Sequence, residues 1–262
     1  MISYVTIRRE ERPGGRVAYV AIDNAAKLNS LSSEVMAQFV EVFANLSADP
    51  ALRAVVLSGA GGKAFIGGAN IDEMARIDGP EAGRAFILKV HACCQAIRDL
   101  PVPVIAAVDG WCLGAGLEIA AACDMRLCSD LAKFGMPEVK LGIPSVVEAA
   151  LLPSLIGWGR TRRILMTGEI FSASEALSWG LVEEVYLQAA LETAVEDLLD
   201  KLLEAEPRAV QLQKALIRRW EELPMSQAIA AGVDAFADAW STEEPKAAMA
   251  RYLADRELAR RR

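Results

Sequence analysis

The chain has 262 residues, 53% of them hydrophobic, a net charge of −7 and a single histidine. That is enough apolar material for one large domain, or a main domain with a small appendage, and the acidic balance argues against general binding to nucleic acid or anionic membranes. Five cysteines without a CxxC spacing point to reduced thiols in a cytoplasmic protein rather than a disulfide framework or zinc, and no apolar run approaches the ~20 residues of a membrane span.

In chain order, the N-terminus enters a strand pattern directly, and Val17 to Ile22 has strand periodicity. Ser32 or Ser33 is placed to cap a helix with Val35, Phe39, Phe43 and Leu46 on one face, stopping before Pro50. Ala54 to Gly59 and Pro103 to Gly110 both read as a buried strand running into a glycine loop and then a helix. Between them, the segment around His91 reads as an ordinary helix. MRLCS (Met125 to Ser129) and KFGMP (Lys133 to Pro137) look like further short strands, and Ser172 with Glu175 predicts a capping box for a helix that Gly180 stops. From Ala190 onward nearly everything has helical periodicity, which predicts a helical region packed on the main body or on a neighbouring subunit.

Two glutamates stand out. Glu118 falls in the first turn of an apolar helix opened by the small-residue loop GWCLGAG, and Glu138 closes KFGMPE. A helix starting near Gly114 leaves the Ala115 N–H unpaired at the positive end of its dipole, and the GGAN turn (Gly67 to Asn70) is placed to present the Ala69 N–H. Two carboxylates beside two preorganised donors suit proton transfer next to a carbonyl whose oxyanion the donors hold. The neighbouring glycine patterns support neither alternative: GAGGK (Gly59 to Lys63) lacks the P-loop spacing, and GWCLGAG fails the dinucleotide pattern. Glu118 also reads as a first-turn residue favoured by the dipole, and Glu138 as a partner for Arg126 or Lys140.

On these residues the chain resembles the crotonase, or enoyl-CoA hydratase, superfamily. The similarity runs from the first strand to about Arg256, through KLNSL, AFIGGANIDEM, PVPVIAAVDGWCLGAGLE, CDMRLCS, AKFGMPEVKLGIP and GRTRRILMTGEIFSASEALSWGLVEEV. The resemblance implies an α/β fold in which a crotonase-like spiral of repeated ββα units (residues 1–195) precedes a C-terminal helical oligomerisation region (196–262), giving homotrimers or dimers of trimers. It implies that Ala69 and Ala115 supply the oxyanion hole and that Glu118 and Glu138 are the catalytic pair. Lys27, Leu28, Gly68, Asn70, Ile71, Trp111, Gly114, Met136 and Ser145 are then candidates for contact with an acyl-coenzyme A substrate. Trp111 and Met136 read equally as acyl-pocket lining and as ordinary core.

The chain departs from the family pattern at several positions. Asn70 stands where aspartate is usual, Asp72 and Asp255 where lysine is common, and Glu148 replaces a glycine of a usual pair. Lys27, Arg256 and the terminal Arg260, Arg261 and Arg262 are left as candidates for the phosphates. The segment between Glu138 and Pro144 is one residue short. If Pro144 begins a helix, Glu148 shares a face with Ser145 as a possible accessory carboxylate; its simpler reading is a helix residue bridged to Arg160 or Arg162.

The activity implied is reversible hydration of 2-trans-enoyl-CoA to 3-hydroxyacyl-CoA, with no metal and no cofactor beyond the coenzyme A of the substrate. An isomerase, which needs one carboxylate, is the alternative, followed by other lyases and decarboxylases of the same scaffold. A non-enzymatic RNA-binding or scaffold role is disfavoured by the acidic charge and the retained glutamates.

Overall fold

The computed structural model describes residues 3–260, so Arg261 and Arg262 lie outside the described residues. The chain divides into two compact units, Met1–Asp200 and Lys201–Arg262. The division expected from the sequence, after residue 195, falls inside the helix that carries this boundary.

The first unit opens with β1 (Val5–Arg12) and β2 (Gly15–Ile22), an antiparallel hairpin. Helix α1 (Ser33–Ser47) follows, its N-cap Ser32 accepting from the Val35 N–H; such a cap contributes about 1 kcal/mol. Its apolar stripe of Val35, Met36, Phe39, Phe43 and Leu46 is buried, with Phe39 and Phe43 stacked.

From there the chain spirals. Strands β3 (Leu52–Gly59), β5 (Val104–Val108) and β7 (Met125–Ser129) enter one sheet, while β4 (Ala64–Ile66), β6 (Trp111–Leu113) and β8 (Lys133–Gly135) enter another. Each passage through both sheets is followed by helical structure: α2 (Ile71–Met74) and α3 (Gly79–Asp99), then α4 (Ala115–Ala122), then two 3-10 turns, Pro137–Leu141 and Val147–Leu151, and α5 (Leu152–Thr167). Strand β9 (Ile170–Ser172), helix α6 (Ala173–Trp179) with its capping box, and strand β10 (Glu184–Tyr186) complete the sheets. The orders are β1-β2-β3-β5-β7-β10 and β4-β6-β8-β9, parallel except for the pairs β1/β2 and β8/β9. Central parallel strands are covered on both faces, which is why β3 and β5 read as continuous apolar runs rather than alternating ones.

Helix α7 (Leu191–Glu204) starts in the first unit, where Glu196 pairs with Arg12 and accepts from the Tyr19 hydroxyl at 2.8 Å. The second unit holds α8 (Pro207–Trp220), α9 (Met225–Ala239) and α10 (Glu244–Arg260). Trp220 Nε1 donates to the Ala228 carbonyl at 2.9 Å, fixing α8 on α9, and the Glu244 carboxylate accepts from the Arg208 and Ala209 N–H groups at the start of α8. Among the described residues no helix is long and apolar enough to cross a membrane.

One expected element is absent. Pro144 begins no helix: the backbone stays irregular from Gly142, which is left-handed, to Val146, which is extended, and a 3-10 turn starts only at Val147. Two adjacent β-branched valines disfavour a helical start there, and Val147 itself sits at a φ of 39°.

Candidate active site

Three segments are tied together to make the cavity. Leu28 and Asn29 both take positive φ values, held by the buried Asn29 side chain, which donates to the Ala60 and Ala64 carbonyls and accepts from the Asn24 N–H. This turn binds the glycine loop through three backbone hydrogen bonds of 2.8–2.9 Å: Gly67 N–H to Leu28 O, Leu31 N–H to Gly68 O, and Asn70 N–H to Leu31 O. The third segment is the start of α4. Gly114 has φ 52° and ψ −122°, and a Cβ there would run into Oε1 of Glu138; at Gly116 a Cβ would collide with the Ile66 carbonyl. Glycine at both positions lets the first turn of α4 close on β4 and on Glu138.

The cavity so formed is lined by Gly67, Gly68, Ala69 and Ile71 from the glycine loop, by Met74, Phe86, Ile87 and Val90 from α2 and α3, by Leu113, Gly114, Ala115 and Glu118 around α4, and by Pro137, Glu138, Leu141 and Ile143–Val146. The Ala69 and Ala115 N–H groups have no hydrogen-bond partner among the described residues, and both alanines face this space. Ala115 is the first residue of α4, so its donor is one of the unpaired groups at a helix start.

Glu118 is buried, and its carboxyl is pushed up to about 8, first by burial and then by the neighbouring Glu138 charge, with Glu148 adding to the rise; the N–H groups of Ala149 and Val146 pull the other way. Glu138 accepts from the Ser145 hydroxyl at Oε2. Arg126 is not its partner: that guanidinium is buried against the Leu181 and Cys123 carbonyls and pairs with Glu183. Nor does Glu148 reach an arginine. Arg160 lies over Trp179 and Arg162 over Trp158, while the buried Glu148 meets His91 at 2.8 Å.

The other candidates separate. Gly68, Ile71, Gly114 and Ser145 line the cavity together with both alanines and both glutamates. Asn70 instead caps α2 through Oδ1, accepting from the Glu73 N–H. Lys27 is exposed and paired with Asp72 at 3.4 Å, and Leu28 is partly exposed beside it. Met136 is fully buried in the core and Trp111 sits at the start of β6, neither facing the cavity. The apolar wall from α3 was not singled out in the sequence, although Phe86 and Val90 stand one turn apart on the apolar face of that helix. No group of three or more His, Cys, Asp or Glu is placed to hold a metal ion among the described residues.

An apolar cavity with two unpaired backbone donors and two carboxyl groups is equipped to hold an oxyanion and move protons beside it. The enoyl-CoA hydratase/isomerase family model matches residues 12–259, and the chain belongs to that family. It is 36% identical over 245 residues to the short-chain-enoyl-CoA hydratase of Clostridium acetobutylicum, covering 93% of this chain and 94% of that protein. It is 31% identical to the crotonyl-CoA hydratase of Syntrophomonas wolfei, covering 96% and 95%. Among solved structures, the enoyl-CoA hydratase of Mycobacterium smegmatis superimposes with a TM-score of 0.92 at 28% identity, over 97% of each chain. The α/β spiral is thus the crotonase fold.

Proposed function

We propose that this protein is an enoyl-CoA hydratase acting on short 2-trans-enoyl-CoA thioesters, and that it assembles as a trimer or a dimer of trimers. The observation that carries the reading is the convergence of Glu118, Glu138 and the two unpaired N–H groups on one apolar cavity. The names of the relatives support the same activity.

In this reading the Ala69 and Ala115 N–H groups take the thioester oxygen and hold the negative charge of the enolate, a contribution of about 3–4 kcal/mol per donor. Glu118, as carboxylate, removes a proton from water as its oxygen bonds to the β-carbon. Glu138, as carboxylic acid, delivers a proton to the α-carbon. The productive pair therefore carries one proton in total, in either direction of reaction. The apolar wall of Met74, Phe86, Ile87 and Val90 receives the acyl chain. Coenzyme A enters as part of the substrate and no further cofactor takes part.

The test is a panel of enoyl-CoA thioesters of rising chain length followed by mass spectrometry. Gain of one water is the expected result. An unchanged mass with a shifted double bond would identify an isomerase instead.

A further inference from the structure

The Ala69 donor is aimed by backbone that other residues hold. In the parallel bridge between Leu31 and Ala69, Leu31 donates to the Gly68 carbonyl and accepts from the Asn70 N–H, both at 2.9 Å. That pattern uses the groups on either side of Ala69 and turns its own N–H away from Leu31. Upstream the path is fixed by packing: Gly68 has a φ of 111°, and a Cβ there would meet the Leu113 carbonyl oxygen at 3.2 Å. Downstream the chain enters α2, which has four residues, none of them buried. One turn of helix is too short to stand by itself, so the exit from Ala69 depends on what α2 is tied to.

Met74 leans half-buried on the core, and Asp72 meets Lys27 at the exposed surface. The stronger polar tie runs through Glu73. Its N–H donates to Oδ1 of Asn70 at 3.0 Å, and its carboxylate reaches across to α1, where Oε2 accepts from the Ser33 N–H at 2.9 Å and from the Ser33 hydroxyl at 2.7 Å. Ser33 is the first residue of α1, so its N–H has no acceptor within its own helix, and a carboxylate there also meets the positive end of the helix dipole. From α3, Lys89 Nζ donates to the same hydroxyl at 2.8 Å. Glu73 thereby joins α2 to α1 and, through Ser33, to the helix that carries Phe86, Ile87 and Val90.

We propose that Glu73 is a positioning residue for the oxyanion hole: its hold on Ser33 fixes the Asn70–Glu73 turn and, with it, the direction of the Ala69 N–H. The proposal rests on the hydratase reading, in which that N–H takes the thioester oxygen. Glu73 is not among the residues that line the cavity, and it acts through the Ala69 backbone rather than on substrate. Direction matters because a hydrogen bond weakens steeply as its angle opens, and an oxyanion donor is effective only when it is already aimed at the place where charge develops. Releasing Glu73 leaves the Gly68 packing and the Leu31 bridge in place, so the chain should fold while the donor loses its fixed aim.

The test compares wild type, Glu73→Ala, Glu73→Gln and Ser33→Ala by two readouts: crotonyl-CoA hydration, and the infrared carbonyl stretch of bound butyryl-CoA isotope-labelled at its thioester carbonyl. Butyryl-CoA is saturated and takes up no water, so its stretch reports the donors alone, moving to lower frequency as they polarise the carbonyl. Glu73→Ala should lower kcat by about tenfold with KM changed less than about twofold, and should lose part of the downshift seen in the wild type. Glu73→Gln, whose amide oxygen still accepts from the Ser33 N–H, should recover most of both. Ser33→Ala removes the hydroxyl alone and should cost about threefold in kcat with a smaller loss of downshift; it decides the matter if Glu73→Ala does not fold. Wild-type kcat or a full downshift in the folded Glu73→Ala, or in Ser33→Ala where that variant decides, would overturn the positioning role, as would a Glu73→Gln as impaired as Glu73→Ala. A wild type that neither hydrates crotonyl-CoA nor shifts the carbonyl, or that fails in either, would overturn the hydratase reading and this proposal with it, whereas a wild type that does both beside unaffected variants defeats the proposal alone.

Discussion

The Ser145 hydroxyl donates to Oε2 of Glu138 at 2.8 Å, from a segment of irregular backbone that also lines the cavity. This bond orients the carboxyl that faces Gly114. A hydrogen bond to a charged group is worth about 1.5–3 kcal/mol, and part of that is expressed in the chemical step. Ser145→Ala should therefore lower kcat for crotonyl-CoA hydration by about tenfold with little change in KM. Steady-state kinetics check this; wild-type kcat would remove Ser145 from the positioning of Glu138.

The carboxyl pair sets the pH dependence. Glu118 is pushed up to about 8 from an ordinary 4.5, so the singly protonated pair persists until about that pH and loses its last proton above it. Hydration neither consumes nor releases a proton overall, so kcat/KM should fall above about pH 8 with the same limb in the hydration and dehydration directions. Parallel profiles in both directions are the measurement. A plateau extending to pH 10 would exclude Glu118 as the group that titrates.

The same shift makes a stability prediction. Between about 4.5 and about 8 the folded chain retains a proton that the unfolded chain has lost, so stability falls as pH rises through that window and levels off above it. Glu118→Gln removes this loss. Its melting temperature should exceed the wild type's by a margin that widens from pH 5 to pH 8, each kcal/mol being worth about 2–4 °C in a domain of this size. A pH-independent difference would contradict the assignment.

The backbone donor at α4 is open to a chemical deletion. Ala115 is the first helical residue, where proline fits, and the dihedrals of Gly114 mirror the extended region that a residue before proline prefers. Ala115→Pro should fold, retain its melting behaviour and lose about 10²–10³ in kcat. A folded variant with full turnover would show that this N–H does not hold the oxyanion.

Helix α9 displays Met225, Ile229, Val233 and Phe236 in one exposed stripe at helical spacing. Apolar faces of this kind are usually covered by a partner. Light scattering at micromolar concentration should give the mass of three or six chains, and Val233→Glu should reduce it; a monomeric wild type would refute the assembly.

Much of this was legible in the sequence for identifiable reasons. Ser32, Ser172 with Glu175, and the apolar runs of β3 and β5 follow local rules that tertiary contacts did not override. Glu118 and Ala115 were readable because a helix start defines their surroundings. The segment after Glu138 was not, since its path depends on Ser145 reaching Glu138 and on Val147 accepting a positive φ, neither of which periodicity records. The Glu148–His91 contact joins positions 57 residues apart, so a charge-pairing guess naturally turned to the nearer arginines. Met136 lies two residues before Glu138 but is buried in the core on the same face as Phe134, and the 3-10 turn that opens at Pro137 takes Glu138 out of that alternation.

The turn from Ser145 to Ala149 addresses both carboxyl groups at once: a hydroxyl for Glu138, two backbone N–H groups for Glu118, and a third carboxylate behind. A scaffold built in this way separates the two cavity carboxyls from the element that sets their surroundings. Exchanging these five residues for a different turn would change the surroundings of both carboxyl groups while Glu118, Glu138 and the Ala69 and Ala115 N–H groups stayed in place.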